Sequence, residues 1–330
     1  MLCRCIWRSC FYQINHLLLL PKLLTSRLQT ILWADYDSVM EVFAQERKSS
    51  FRLNTLKWDG SDVFEEMKQK WIEMSPFLPI PWVYLYEKKD DYAMKGTEAF
   101  YQGRIYLQSV SSLLPVLALD PKAWEQILDV CAAPGSKTTQ IAMMMHDEGK
   151  IIALEQNPIR YDKLMHNCKL QWATIVEGKK VDARKYLDPL GITKFDRILL
   201  DAQCSAEGRI SLSNEKTYQF WSLENVKKKA QTQYELLTLA IARLEKWSTL
   251  VYSTCTLAPE ENEWVISRVL RDRSDISLEP IDIGLCDMPW RRSGITSFGS
   301  ANYGEDMKQT VRILPSGETE GFYMAKIVKK

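Results

Sequence analysis

From about residue 105 to the C-terminus, apolar runs of four to six residues alternate with longer amphipathic stretches: 127–130 then 138–145, 151–154 then 159–170, 197–200 then 223–244, and 250–253 then 260–270. Short apolar runs bounded by polar turns read as buried strands, and apolar residues recurring three and four apart read as helices. This order predicts an α/β fold, a parallel sheet with helices on both faces. Upstream the texture differs. Helical patterns over 17–32, 36–45 and 62–73 surround β-like runs over 50–56 and 82–86, with Asp59-Gly60, Pro76, Pro79 and Pro81 as punctuation. A length of 330 residues accommodates two units, a small α+β module over 1–98 and the α/β domain over 99–330.

Composition excludes several classes. With 46% hydrophobic and 26% charged residues the chain is neither disordered nor collagenous. A net charge of +1 leaves no global basic field, so a polyanionic partner must be met by a local patch. The apolar stretch Leu17 to Leu20 closes at Pro21, far short of the roughly 20 residues of a membrane span, so no membrane partner is expected. Eight scattered cysteines point to free thiols in a reducing compartment, with the cytoplasm as the expected location. Residues 1–34 hold Arg4, Arg8, Lys22 and Arg27 and no acid, which leaves a mitochondrial transit segment as the alternative. Cys3, Cys5, Cys10 and His16 fit no closed zinc spacing, and no metal is expected.

Ligands of open parallel sheets sit beyond the carboxyl ends of the strands, and five polar positions converge there: Cys131 to Lys137, Glu155, Asp182, Asp201 to Cys204, and Thr254-Cys255. The first is Cys131-Ala132-Ala133-Pro134-Gly135-Ser136-Lys137. Ser136 separates Gly135 from Lys137 and residue 130 is Val, so this is not a triphosphate loop; with a single Gly it is not a dinucleotide loop either. A smaller nucleoside ligand fits better. Glu155 is placed to bond ribose hydroxyls and Asp182 to accept from an adenine amino group, while either acid alone reads equally as a solvated strand end.

Cys204 and Cys255 follow what would be neighbouring strands, on the rim of the same pocket, where one is a candidate nucleophile. Here the sequence resembles the RNA cytosine-5 methyltransferases of the Sun group, which includes the bacterial RsmB and RsmF enzymes. Residues 129–138 (DVCAAPGSKT) resemble the cofactor loop, 253–263 (STCTLAPEENE) the nucleophile motif, and 201–208 (DAQCSAEG) the family's Asp-Ala-Pro-Cys-Ser-Gly-Glu-Gly segment. Weaker echoes are 51–57 (FRLNTLK), 105–112 (IYLQSVSS) and 320–326 (EGFYMAK).

The resemblance implies a Rossmann-like S-adenosylmethionine-dependent methyltransferase domain preceded by an RNA-binding module, acting on carbon 5 of cytosine in RNA, with ribosomal RNA the first choice, transfer RNA the second and no DNA. Carbon 5 is a poor nucleophile until a thiolate adds at carbon 6, which is why covalent catalysis is needed. By resemblance Cys255 is that nucleophile, Cys204 assists breakdown of the covalent product, Asp201 bonds the cytosine edge, and Lys137 adds positive potential. Cys131 to Lys137, Glu155, Asp182 and Asp201 would line the cofactor. Arg160 resembles an arginine near its ribose and reads equally as a solvated first-turn residue.

Two departures stand in the second-cysteine segment. Gln203 replaces Pro and Ala206 replaces Gly, which bears on product release more than on methyl transfer. The rival function motivated by Gln203 is an RNA-binding ribosome-assembly factor that keeps the pocket with little turnover. The target base must be single-stranded or flipped. Residues 1–57 hold eight Lys or Arg against four acids, and Phe51, Arg52 and Asn54 alternate in a way that suits a nucleic-acid face, or a solvated one. His16, His146 and His166 lie beside neither cysteine, which disfavours a cysteine protease.

Overall fold

A computed structural model describes residues 20–57, 61–187 and 193–330. The cysteine and arginine positions upstream of residue 20, and the Asp59-Gly60 turn, lie outside the described residues.

The first elements among the described residues are helices α1 (Lys22–Leu32) and α2 (Tyr36–Ala44). Leu24, Leu28 and Leu32 recur four apart and share a buried stripe that packs, with Val39 and Phe43, into the main core. Strand β1 (Ser49–Leu53), helix α3 (Ser61–Gln69), strands β2 (Met74–Pro76) and β3 (Val83–Tyr86), short helices α4 (Asp91–Lys95) and α5 (Glu98–Tyr101), and β4 (Ile105–Leu107) follow. The strands form an antiparallel sheet in the order β2-β3-β1-β4, with Phe51 opposite both Tyr84 and Leu107. Its small core gathers Phe51, Leu53, Val63, Met67, Met94 and Ile105. β4 lies past residue 98, so this sheet draws its last strand from beyond the expected boundary.

The expectation of a nucleic-acid face on Phe51, Arg52 and Asn54 is corrected by burial: all three are essentially inaccessible. Arg52 donates from Nε to Gln108 Oε1 (3.0 Å) and from Nη2 to Thr139 Oγ1 (2.7 Å), and Asn54 donates to the carbonyls of Gly103 and Gln171. These polar groups are buried because segments far along the chain supply their partners, which fasten the antiparallel sheet to the α/β layer.

That layer comprises α6 (Val110–Leu119), β5 (Gln126–Asp129), α7 (Ser136–Met144), β6 (Lys150–Glu155), α8 (Pro158–Leu170), β7 (Val176–Lys180), α9 (Ala183–Tyr186), β8 (Phe195–Asp201), α10 (Leu223–Ala242), β9 (Leu244–Thr254) and α11 (Glu263–Asp272). Strands β10 (Ile276–Glu279), β11 (Arg291–Ser293), β12 (Ser297–Phe298), β13 (Ala301–Asn302), β14 (Val311–Ile313) and β15 (Phe322–Lys329) complete it. The sheet order is β11-β14-β15-β9-β8-β5-β6-β7, with β10 also on β15. β7, β6, β5, β8 and β9 are parallel, as the alternating pattern predicts. The rest of the sheet is antiparallel, which the alternation did not show. β14 and β15 are joined by only eight residues, too few for the crossover a parallel pair needs.

The strand order reverses between β5 and β8, and the crevice at their carboxyl ends is where an α/β sheet receives a ligand. Among the described residues no helix is long and apolar enough to cross a membrane, and no cluster of three or more His, Cys, Asp or Glu is arranged to hold a metal.

Candidate active site

Four loops, leaving β5, β6, β8 and β9, build the site from that crevice. The first leaves β5 at Asp129, a buried carboxyl whose Oδ2 accepts from Thr138 Oγ1 at 2.7 Å. Burial raises Asp129 to about 7, partly offset by that hydrogen bond. Gly135 takes φ +106 to turn the chain into α7, a backbone state that L side chains rarely adopt. One residue into the helix, Lys137 is nearly buried and reaches across to the next strand. Its Nζ donates to Asp201 Oδ2 (2.7 Å) and Ser112 Oγ (2.9 Å). Ser253 Oγ donates to the other Asp201 oxygen at 2.7 Å, so both oxygens of that carboxylate are fixed before any substrate arrives.

The second loop follows β6. Asn157 caps α8 by accepting from the Arg160 N–H, with Pro158 at the first helical position. This aims Arg160 back at the sheet, where Nη2 meets Glu155 Oε2 at 3.2 Å and the Ala133 carbonyl at 2.8 Å. Glu155 and Arg160 thus form one unit clamped onto the first loop. Asp182, after β7, instead caps α9 and holds Arg184 through both carboxylate oxygens.

The third contact joins the ends of β8 and β9. Cys204 Sγ and Cys255 Sγ stand 3.2 Å apart. The bond to Cys255 and burial hold the Cys204 thiol well above the usual range, so in this pair Cys204 keeps its proton. Burial pushes Cys131 up to about 12, which leaves it a poor nucleophile. Glu261 locks the Cys204 loop: it accepts from the Ser205 N–H at 3.0 Å and from Gln233 Nε2 at 2.8 Å, while Gln233 also donates to the Gln203 carbonyl. Burial still raises Glu261 to about 7. Cys131 to Pro134, Ser136, Lys137, Arg160, Asp201, Cys204 and Cys255 line a single cavity of about 560 Å³, a size suited to a small ligand. Gly135 packs behind it against Leu164, and Glu155 reaches it through Arg160. Asp182 does not line it.

The model of the family described as 16S rRNA methyltransferase RsmB/F matches residues 116–328. The chain belongs to the RsmB/F methyltransferase family. Among RsmB/F-related proteins it is 36% identical to a tRNA (cytosine(49)-C(5))-methyltransferase of Pyrococcus abyssi, over 86% of this chain and 88% of that protein. It is 32% identical to the ribosomal RNA small subunit methyltransferase F of Vibrio parahaemolyticus, covering 94% of this chain but only 63% of that longer protein. A crystallised methyltransferase homologue from Pyrococcus horikoshii superposes with a TM-score of 0.81 at 29% identity, over 96% of this chain and 98% of that one.

Within this RsmB/F site, several residues escaped the sequence reading. Ser112 and Ser253 fix Lys137 and Asp201, and Glu261 and Gln233 fix the Cys204 loop. Ser253 and Glu261 lay inside the 253–263 motif, where Glu261 is one of three acids and nothing local singles it out. Gln233, in the middle of α10, gave no signal.

Proposed function

We propose that this chain methylates carbon 5 of cytosine in RNA, using S-adenosylmethionine and a covalent cysteine–cytosine adduct. The observation that carries this is the Cys204–Cys255 thiol pair, 3.2 Å apart on the wall of the cavity that the β5 loop lines. Relatives named for cytosine-5 methylation of transfer and ribosomal RNA support the same substrate class.

The residues present fit the cofactor. Asp129 Oδ1 is buried beside the cavity with no hydrogen-bond partner among the described residues, an acceptor suited to an ammonium group. The Glu155–Arg160 unit and the first turn of α7 would hold the remainder, whereas Asp182 would reach an adenine only by giving up Arg184. When bound, S-adenosylmethionine supplies an electrophilic methyl group.

Cys255 attacks carbon 6 of a flipped or single-stranded cytosine, which makes carbon 5 nucleophilic. Asp201, its oxygens already oriented by Lys137 and Ser253, faces the base edge and favours protonation at ring nitrogen 3. After methylation, Cys204, in contact with the Cys255 sulfur, gives its proton to that sulfur as the carbon–sulfur bond breaks, and the Cys204 thiolate so formed takes the carbon-5 proton, whose electron pair re-forms the ring double bond.

The test is methyl transfer from labelled S-adenosylmethionine to ribosomal and transfer RNA transcripts, followed by nucleoside analysis. Label in 5-methylcytidine is expected. Label in another nucleoside, or none on either RNA, would overturn the proposal.

A further inference from the structure

We propose that a groove beside Cys204 seats the single-stranded RNA flanking the target cytosine, with Phe220 as the platform on which a neighbouring base stacks and Lys88 and Lys216 as phosphate contacts. This rests on the RNA methyltransferase reading and extends it from the reacting base to its neighbours.

The groove is a second cavity, of about 650 Å³, which shares Cys204, Ala206, Arg209, Lys229 and Glu320 with the first and so opens directly onto the thiol pair. One wall is the N-terminal module, through Arg47 and Lys88. The other is the segment after β8, through Arg209, Lys216 and Phe220. Five cations, Arg47, Lys88, Arg209, Lys216 and Lys229, meet two carboxylates, Glu46 and Glu320. Glu320 is engaged by Arg209 at 3.2 Å and Arg47 at 3.9 Å. Among the described residues no ion pair within 4 Å neutralises Lys88, Lys216 or Lys229. In a chain of net charge +1 this is the local basic patch that a polyanion requires.

Phe220 is 82% exposed, and its loop holds it there. Tyr218 is buried, Trp221 donates from Nε1 to the buried Glu207 at 2.8 Å, and Leu212 N–H donates to the Phe43 carbonyl at 2.8 Å. With its neighbours anchored in the core, the ring is presented on a fixed backbone. A free aromatic face among unpaired cations is the arrangement that binds single-stranded nucleic acid. Bases next to a flipped nucleotide lose stacking partners and need a new one.

The test is fluorescence anisotropy of a short labelled oligocytidine with the full chain, against a blunt RNA duplex of equal length. Phe220→Ala should weaken oligocytidine binding about tenfold and Phe220→Tyr should restore it. Lys88→Gln with Lys216→Gln should flatten the slope of log affinity against log salt by about 1.4. S-adenosylmethionine titration should be unchanged in all three, which also shows that they fold. Oligocytidine binding by Phe220→Ala within twofold of wild type, with the double-lysine variant keeping the wild-type salt slope, would overturn the assignment; so would equal affinity for the duplex, or equal displacement by polyglutamate, which would point to a protein segment. Wild-type protein that binds through these residues yet methylates no RNA would instead sink the methyltransferase reading and leave the groove standing.

Discussion

The two loops that carry the paired cysteines are held in different ways. The loop after β9 is rigid by its own bonds: Thr254, Thr256, Glu261 and Asn262 are fully buried, Thr254 Oγ1 donates to Asn262 Oδ1 at 2.6 Å, Asn262 Nδ2 donates to the Thr256 carbonyl at 3.0 Å, and the Tyr252 hydroxyl donates to the Glu261 carbonyl. The loop after β8 is half exposed and borrows its order from the other, through Ser205 on Glu261 and Thr256, and from α10, whose Gln233 donates to the Gln203 carbonyl. Cys255 sits on the rigid loop and Cys204 on the dependent one. A nucleophile must be placed to within a fraction of an ångström for attack, whereas a group that acts when the adduct breaks down tolerates a looser seat.

The sharpest way to break this comparison is to remove each thiol in turn. Cys255→Ala should abolish methylation and form no adduct. Cys204→Ala should still form the adduct and release it slowly, so a protein–RNA band that survives denaturation accumulates. Methyl transfer by Cys255→Ala, or a trapped band in that variant alone, would reverse the two roles.

The dependent loop has one point of its own that cannot move. The Gly208 N–H donates to the Cys255 carbonyl at 3.1 Å and its carbonyl accepts from Gly321 N–H at 2.8 Å. A side chain at Gly208 would place Cβ 2.0 Å from the Gly321 oxygen and 2.6 Å from its Cα. Because the obstacle is backbone, Gly208→Ala should cost about 3 kcal/mol or more of stability in urea unfolding. A loss under about 1 kcal/mol would mean that the two glycines are not in contact in solution.

The same contrast bears on what a sequence can disclose. The loops after β5 and β9 and the parallel strands β5, β6, β8 and β9 were legible because their signals are local: apolar runs of strand length, small residues before a helix, polar residues at strand ends. β7 (Val-Glu-Gly-Lys-Lys) carries no such run, since only half of it is shielded. Arg52 read as a surface residue because its partners Gln108 and Thr139 lie 56 and 87 positions away, beyond any window of pattern. The bonds that tie the Cys204 loop to Gln233 and Glu261 are hidden for the same reason. Arg160, by contrast, resolves from an even reading into the partner of Glu155 once the cap at Asn157 aims it.

Glu207 tests how the dependent loop responds to pH. Its carboxyl is buried, Oε1 accepts from Trp221 Nε1, and Oε2 has no partner among the described residues. Burial raises it from an ordinary 4.5 to about 7. A carboxyl raised on folding binds its proton more tightly in the native state, so its contribution is complete below its unfolded value and lost as pH rises through about 7. The shift corresponds to roughly 3 kcal/mol between mildly acidic and mildly basic solution. Glu207→Gln keeps the acceptor for Trp221 and should flatten the fall in melting temperature over that range, leaving the share due to Asp129 and Glu261. A variant whose profile runs parallel to the wild type would show that Glu207 does not titrate in the fold.

The smallest effect is expected where the sequence departs from the family pattern. Ala206 stands where the resembled motif has Gly, and it adopts φ 61 and ψ 30, the left-handed region. An L side chain there costs roughly 1–2 kcal/mol through its Cβ, while glycine in its place frees the unfolded chain by about 0.4–1 kcal/mol. The first exceeds the second by a little, so Ala206→Gly should stabilise by somewhat less than about 1 kcal/mol. Ala202, four residues earlier in the same loop, provides the control: its φ is negative and its methyl is buried, so Ala202→Gly should destabilise by about 1 kcal/mol. Opposite signs for one substitution at two nearby sites would isolate backbone strain from side-chain packing. Equal losses at both would mean that the Cys204 loop relaxes out of the left-handed turn in solution.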